Sequence, residues 1–181
     1  MIQAAHLPLA VLCLALLLGC GTLHPESLPQ LSVVPKVDID RYLGKWYEIA
    51  RYPNRFEKAC VAVTADYSLR DDGKVRVVNE CRKGSLEGPI KRIEGKAWIV
   101  DASTNAKLKV QFFWPFRGAY WIIDLGKDYE YAVVGHPGRK YLWVLSRTPN
   151  MEPEIYEEIL RRLPRQGYDP ARLQKTLQPD P

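Results

Sequence analysis

From Gly44 onward, apolar and polar residues alternate in short runs separated by turn residues, the period-two signature of half-buried strands. In one run Val61, Val63, Ala65, Tyr67 and Leu69 share a parity, with Thr64, Asp66, Ser68 and Arg70 on the other. The turn Asp71-Asp72-Gly73 follows, and then Val75 and Val77 alternate with Lys74 and Arg76. These runs predict a hairpin with one face turned inward. Further runs cover Ile93 to Val100, Lys107 to Phe113, Ala119 to Asp124, Tyr131 to His136 and Tyr141 to Ser146, and Lys45 to Tyr52 completes a set of eight. Eight strands joined by short links predict an all-β protein, an up-and-down antiparallel β-barrel whose closure removes exposed sheet edges. An interior of that size holds packed side chains or one small ligand.

Only one segment has a helical period. After Met151-Glu152-Pro153-Glu154, the residues Ile155, Ile159 and Leu160 fall on one face, with Arg161, Arg162 and Arg165 toward the end. Acids at the start and bases at the finish complement a helix dipole, so one C-terminal α-helix is expected, packed outside the barrel.

The N-terminal pattern is different. Leu7 to Leu18 is an apolar run too short to cross a bilayer, but of the length of a signal-peptide core. Leu17-Leu18-Gly19-Cys20 resembles the lipobox of bacterial lipoproteins, which implies removal of residues 1–19 and acylation of Cys20. Met1 to His6 has no Lys or Arg, which leaves an ordinary signal peptide open. Residues 20–38, with Pro25, Pro29 and Pro35, read as a flexible tether, and residues 39–177 as the barrel domain. Gly21 after the cysteine, where an Asp would mark inner-membrane retention, implies by the same resemblance the outer membrane, with the barrel facing the periplasm.

The chain has 181 residues, and the part after the export segment is one domain's worth. A core of that size needs no metal or disulfide to fold. The 26 Lys plus Arg against 21 Asp plus Glu are scattered along the chain, so the net +5 favours solubility and gives a weak bias toward anionic surfaces such as phospholipid head groups. Nucleic acid is not an expected partner, because no concentrated basic stripe with stacking aromatics is present.

Tyr42-Leu43-Gly44-Lys45-Trp46-Tyr47-Glu48-Ile49-Ala50 resembles the G-x-W signature that opens the first strand of lipocalins. Asp128-Tyr129, followed by Tyr131-Ala132-Val133-Val134, resembles the second motif of that family, and Leu145-Ser146-Arg147-Thr148-Pro149 the third. The whole stretch from about Val37 to Asp169 is similar to the bacterial outer-membrane lipocalins, including Phe112-Phe113-Trp114-Pro115-Phe116 in their loop between strands five and six. The resemblance implies a structural role for Gly44, Trp46 and Arg147 at a closed end of the barrel, with the Arg147 guanidinium stacked on the indole by cation–π attraction.

The inward parity, supported by the positions that face inward in that family, places Ala65 and Tyr67 on the second strand and Val75, Val77 and Asn79 on the third. It continues with Ala97 on the fourth, Leu108, Val110 and Phe112 on the fifth, and Tyr120 and Ile122 on the sixth. Val134 and Trp143 complete the set. An apolar lining with a few polar groups is the usual composition of a small-molecule pocket, and the resemblance implies a fatty acid, a lysophospholipid or a similar hydrophobic ligand. Glu48 shares the parity of Trp46 and falls either inside, where it needs a partner, or at the exposed rim. The expected partners are therefore that ligand and, through the lipidated Cys20, the membrane; a homodimer is left open. A lipid-acting enzyme of the same fold and a ligand-free envelope scaffold are the other readings the sequence permits.

No catalytic set is legible. Beyond the export segment the histidines are His24 and His136, far apart, and there is no Cys-x-x-Cys pair, so neither enzyme activity, nor a cofactor, nor a metal site is expected. With Cys13 in the export segment and Cys20 acylated, Cys60 and Cys81 remain as one pair in an oxidising compartment, where a disulfide is expected. Its geometry demands an irregularity. If Tyr67 and Val75 both face inward, paired positions in the hairpin sum to an even number, whereas 60 and 81 sum to an odd one. A bulge, or an irregular strand start near Lys58-Ala59, has to shift the register.

Overall fold

The computed structural model describes Leu28 and residues 30–180; the expected signal peptide and Cys20 lie outside the described residues. A short helix α1 (Ile39–Tyr42) leads into eight strands: β1 (Gly44–Arg51), β2 (Cys60–Leu69), β3 (Val75–Lys83), β4 (Ile90–Ile99), β5 (Lys107–Gln111), β6 (Gly118–Leu125), β7 (Tyr131–Gly135) and β8 (Leu142–Ser146). Helix α2 (Pro153–Arg162) and a two-residue strand β9 (Gln174–Lys175) follow. Each of β2 to β8 pairs antiparallel with its sequence neighbours, and β1 pairs with both β2 and β8, so the sheet closes on itself. The eight-stranded up-and-down barrel and its outer C-terminal helix agree with the alternation.

Closure is incomplete along one seam. β1 pairs with β2 only over Gly44 to Tyr47 and then leaves it. Backbone groups exposed by that parting need partners. The chain after α2 supplies them: β9 pairs with Ala50 and Arg51, Thr176 N–H donates to Ile49 O (2.9 Å), and Ala62 N–H donates to Leu177 O (2.7 Å). The Gln178 amide then donates to Glu48 O and Val63 O, so the two diverging strands are stitched by a segment with no strand periodicity.

The β2–β3 hairpin has the expected register in its lower half, where Tyr67 lies opposite Val77, while Cys60 lies opposite Lys83. The shift falls between Val61 and Thr64, with Ala62 at φ 47°. The irregularity is therefore a bulge inside β2 and not a ragged start at Lys58-Ala59. It brings Cys60 and Cys81 to a Cα separation of 5.5 Å, and they form a disulfide.

Packing divides into an inner core within the barrel and an outer one beneath α2. Tyr156 and Ile159 of the helix are buried against Tyr52, Val133 and Val144, and Arg162 ties the helix to β6 through Asp124 (2.7 Å). The last residues of the segment expected as a tether belong to this packing. Leu31 and Val37 are buried, Val34 N–H donates to Ile122 O (3.0 Å), and Val37 N–H donates to Thr104 O (2.8 Å). The apolar side chains of Leu31, Val33, Val34 and Val37 give this strap enough buried surface to hold it on the barrel wall.

Candidate functional site: the barrel cavity

The barrel encloses a cavity of about 120 Å³, room for on the order of ten water-sized groups. Its walls come from every barrel strand except β7. Ala65, Tyr67, Val75, Val77, Asn79 and Ala97 line it from one side, as the parity predicts. Leu108, Val110, Phe112, Tyr120, Ile122 and Trp143 line it from the other. Val134 corrects the expectation: it is fully buried in the inner core but does not line the cavity. It is paired with Ile122 on one side and Trp143 on the other, and those larger side chains reach the cavity in its place.

The floor is built around Trp46, which is fully buried and donates its indole N–H to Tyr42 O (2.9 Å). Arg147 lies with Cζ 3.8 Å from the centre of the indole ring and donates to Leu43 O (2.9 Å), Lys45 O (3.0 Å), Arg41 O (2.6 Å) and Tyr129 O (3.3 Å). One side chain thus clamps α1, the start of β1 and the β6–β7 turn. Gly44 takes φ +89° where the chain turns under the guanidinium, a conformation costly for a residue with a Cβ. Tyr42, Leu43, Ile39 and Leu145 complete the floor. The first three were not legible as lining, because they precede the alternating pattern.

Above the floor, Tyr120 Oη is 2.8 Å from Tyr42 Oη and 2.9 Å from Tyr67 Oη. Burial pushes the Tyr67 phenol up to about 12 and holds Tyr42 and Tyr120 well above the ordinary value, so all three stay neutral. Three hydroxyls carry three protons and make two mutual contacts, which leaves one O–H to meet a ligand atom or water. Asn79 Oδ1, also buried, has no protein partner among the described residues.

The upper part of the cavity is acidic. Glu48 points inward, almost fully buried, and is held by the guanidinium of Arg51 and the hydroxyl of Thr176. Arg51 also donates to Glu57 O (3.1 Å) and Cys60 O (3.2 Å), and its Nε lies 3.8 Å from the Glu57 carboxylate. Trp143 donates its indole N–H to that same carboxylate at 3.2 Å. Burial first, and then the neighbouring Glu57 charge, push the Glu48 carboxyl up to about 8 against the pull of Arg51 and Thr176. Near neutral pH the Glu48 carboxyl therefore keeps its proton, beside the guanidinium of Arg51 that also faces Glu57. Glu57 sits in the irregular β1–β2 loop and Thr64 lies off the inward parity beside the β2 bulge, so neither was expected as lining; Val63 shares the parity of Ala65 but was not among the expected lining residues.

No group of three or more His, Cys, Asp or Glu side chains is placed to hold a metal ion among the described residues. What the cavity offers is an apolar body with neutral hydroxyls below and two carboxyls around one guanidinium above, an arrangement suited to holding a small amphiphile.

Residues 37–178 match the model of the lipocalin-like domain. The chain is 43% identical over 173 residues to the outer membrane lipoprotein Blc of Escherichia coli (strain K12), covering 96% of this chain and 97% of that protein. It is 41% identical over 160 residues to temperature-induced lipocalin-1 of Arabidopsis thaliana, covering 83% and 84% respectively. Among solved structures, insecticyanin from the tobacco hornworm Manduca sexta superposes with a TM-score of 0.70 at 21% identity, covering 87% of this chain and 89% of that one, a likeness of fold. A barrel closed at one end by Trp46 and Arg147, together with sequence identity along nearly its whole length, places this chain in the lipocalin family.

Proposed function

We propose that the protein is a lipid-anchored carrier of the bacterial envelope that holds a fatty acid, a lysophospholipid or a similar single-chain amphiphile in its barrel. The observation that carries this reading is the apolar cavity, closed below by Trp46 and lined by Val75, Val77, Leu108, Val110 and Ile122. An acyl tail would lie along these residues toward the tyrosine cluster, with its polar head among Glu48, Glu57 and Trp143. The relatives named outer membrane lipoproteins support a location at the outer membrane, and the lipobox-like Leu17-Leu18-Gly19-Cys20 supports anchoring through acylated Cys20. The periplasmic side is the side we assign to the barrel.

Displacement of a fluorescent fatty acid tests the ligand. Val110→Arg sets a guanidinium in the apolar wall, and Trp143→Asp adds a carboxylate beside Glu57 in place of the indole; each should weaken binding about a hundredfold, since a charge in an apolar site is costly without a partner. Unchanged binding in variants that remain folded would place the ligand elsewhere. Intact-mass measurement tests the anchor: a mature chain beginning at Cys20 and carrying acyl chains is expected, and an unmodified Cys20 thiol would exclude it.

A further inference from the structure

We propose that the open end of the barrel docks on an anionic lipid bilayer through the β5–β6 loop. Phe113, Trp114 and Phe116 are 66%, 84% and 76% exposed, three large aromatic side chains within four residues. A single exposed apolar side chain is ordinary, but a cluster of this kind marks an interaction surface. Two more exposed apolar residues lie at the same end, Phe56 in the β1–β2 loop and Ile90 at the start of β4.

Charge points to the occupant. In the barrel loops of this end and at the start of β4 the exposed cations are Arg55, Lys58, Lys91, Arg92, Arg117 and Lys140, and the segment after α2 adds Arg165 and Arg172. The acids of its barrel loops are Glu87 and Glu57, with Asp169 in the segment after α2, and Glu57 is already engaged by Arg51. At the opposite end, Asp71, Asp72, Asp101, Asp128 and Glu130 balance the loop cations Arg70, Lys74 and Lys127 and the strand-start cations Lys45 and Lys107, so no such excess of positive charge arises there. Aromatic rings at head-group depth, ringed by Lys and Arg, suit a negatively charged bilayer surface better than a protein surface.

Two further features fit this orientation. Phe112 lines the cavity while the next residues point outward, so a docked loop would hold the cavity mouth against the head groups. Ser32 N–H donates to the Gln166 side chain, and the Gln166 main-chain carbonyl accepts from Arg139 of the β7–β8 loop, so the strap enters the fold from the open-end side. The docking does not depend on acylation of Cys20 or on a ligand in the barrel.

The test follows Trp114 in the purified mature protein, mixed with vesicles of phosphatidylcholine with and without phosphatidylglycerol, using lipids brominated near the head group as quenchers. The signal of Trp114 is the difference between the native protein and Trp114→Phe. Quenching of that signal, stronger on the anionic vesicles, is expected. Phe113→Ser/Phe116→Ser, which keeps Trp114, should weaken sedimentation with anionic vesicles about tenfold or more if Cys20 is not acylated, and should reduce the quenching of the Trp114 signal several-fold if it is, that signal being taken against the same variant carrying Trp114→Phe. Folding of the variants is checked by retention of fatty-acid displacement or, if the barrel binds none, by an unchanged unfolding midpoint. A Trp114 signal open to acrylamide and untouched by brominated lipid on both vesicles overturns the proposal. So does shielding of Trp114 that rises with protein concentration in the absence of vesicles, which would assign this end to a second copy of the chain.

Discussion

Replacing Arg147 with alanine should cost about 3–4 kcal/mol of folding stability. The stacking on Trp46, at 3.8 Å and half-buried, is worth about 1 kcal/mol. The hydrogen bonds to Arg41 O and Lys45 O lie at the surface, where water can replace the donor. Those to Leu43 O and Tyr129 O are partly buried, and losing a charged donor there costs about 1.5 kcal/mol each at the low end of the usual range. Arg147→Lys keeps the charge without the planar fork, so it should recover only the stacking share, about 1 kcal/mol. Urea unfolding followed by tryptophan fluorescence reads both, with the denaturant slope unchanged if the two states keep their compactness. A loss below about 1 kcal/mol in Arg147→Ala would show that the guanidinium is not a latch, and full recovery by lysine would show that its fork geometry is irrelevant.

Glu48 makes stability depend on pH. Its carboxyl is raised from 4.5 to about 8 in the folded state, so the fold retains a proton that the unfolded chain releases; stability should fall as pH rises from about 4.5 toward 8. Glu48→Gln should flatten that slope in unfolding curves taken across this range, and an unchanged slope would exclude Glu48 as its source. The Cys60–Cys81 bond closes a loop of about twenty residues and should stabilise by about 3 kcal/mol on the chain-entropy estimate. Thiol titration of the unfolded mature protein should find no reactive thiol before reduction and two after it. Ile159→Ala, at a fully buried helix position, should cost about 2–4 kcal/mol by calorimetry or urea unfolding, and a cost below 1 would mean that α2 adds little to the outer core.

The inward faces of β2 and β3 were legible because a strand repeats every two residues: Tyr67, Val75 and Val77 could face the interior only together. The Trp46–Arg147 part of the floor was legible only through the resemblance of its motifs to lipocalins, which implied the plug and the stacked guanidinium; Ile39, Tyr42 and Leu43 beside it carried no such signal. Parity arithmetic on Cys60 and Cys81 showed that the hairpin needed an irregularity, but not where. Ala62 has no turn chemistry of its own, and it takes a positive φ because the paired strands and the Leu177 carbonyl hold it there.

Tertiary structure alone decided the rest. Gln174 to Gln178 has no strand pattern, yet it is ordered where β1 and β2 part, because backbone groups at that seam would otherwise lack partners. Val134 has the right parity, but its neighbours Ile122 and Trp143 are larger and cover it. Glu48 and Arg51 differ in parity and should lie on opposite faces of a regular strand. The register of β1 against β8 shifts between Glu48 and Ala50, and this places the guanidinium on the carboxylate inside the barrel. A bulge depends on how two distant strands meet, so a pattern read along one strand cannot reveal it.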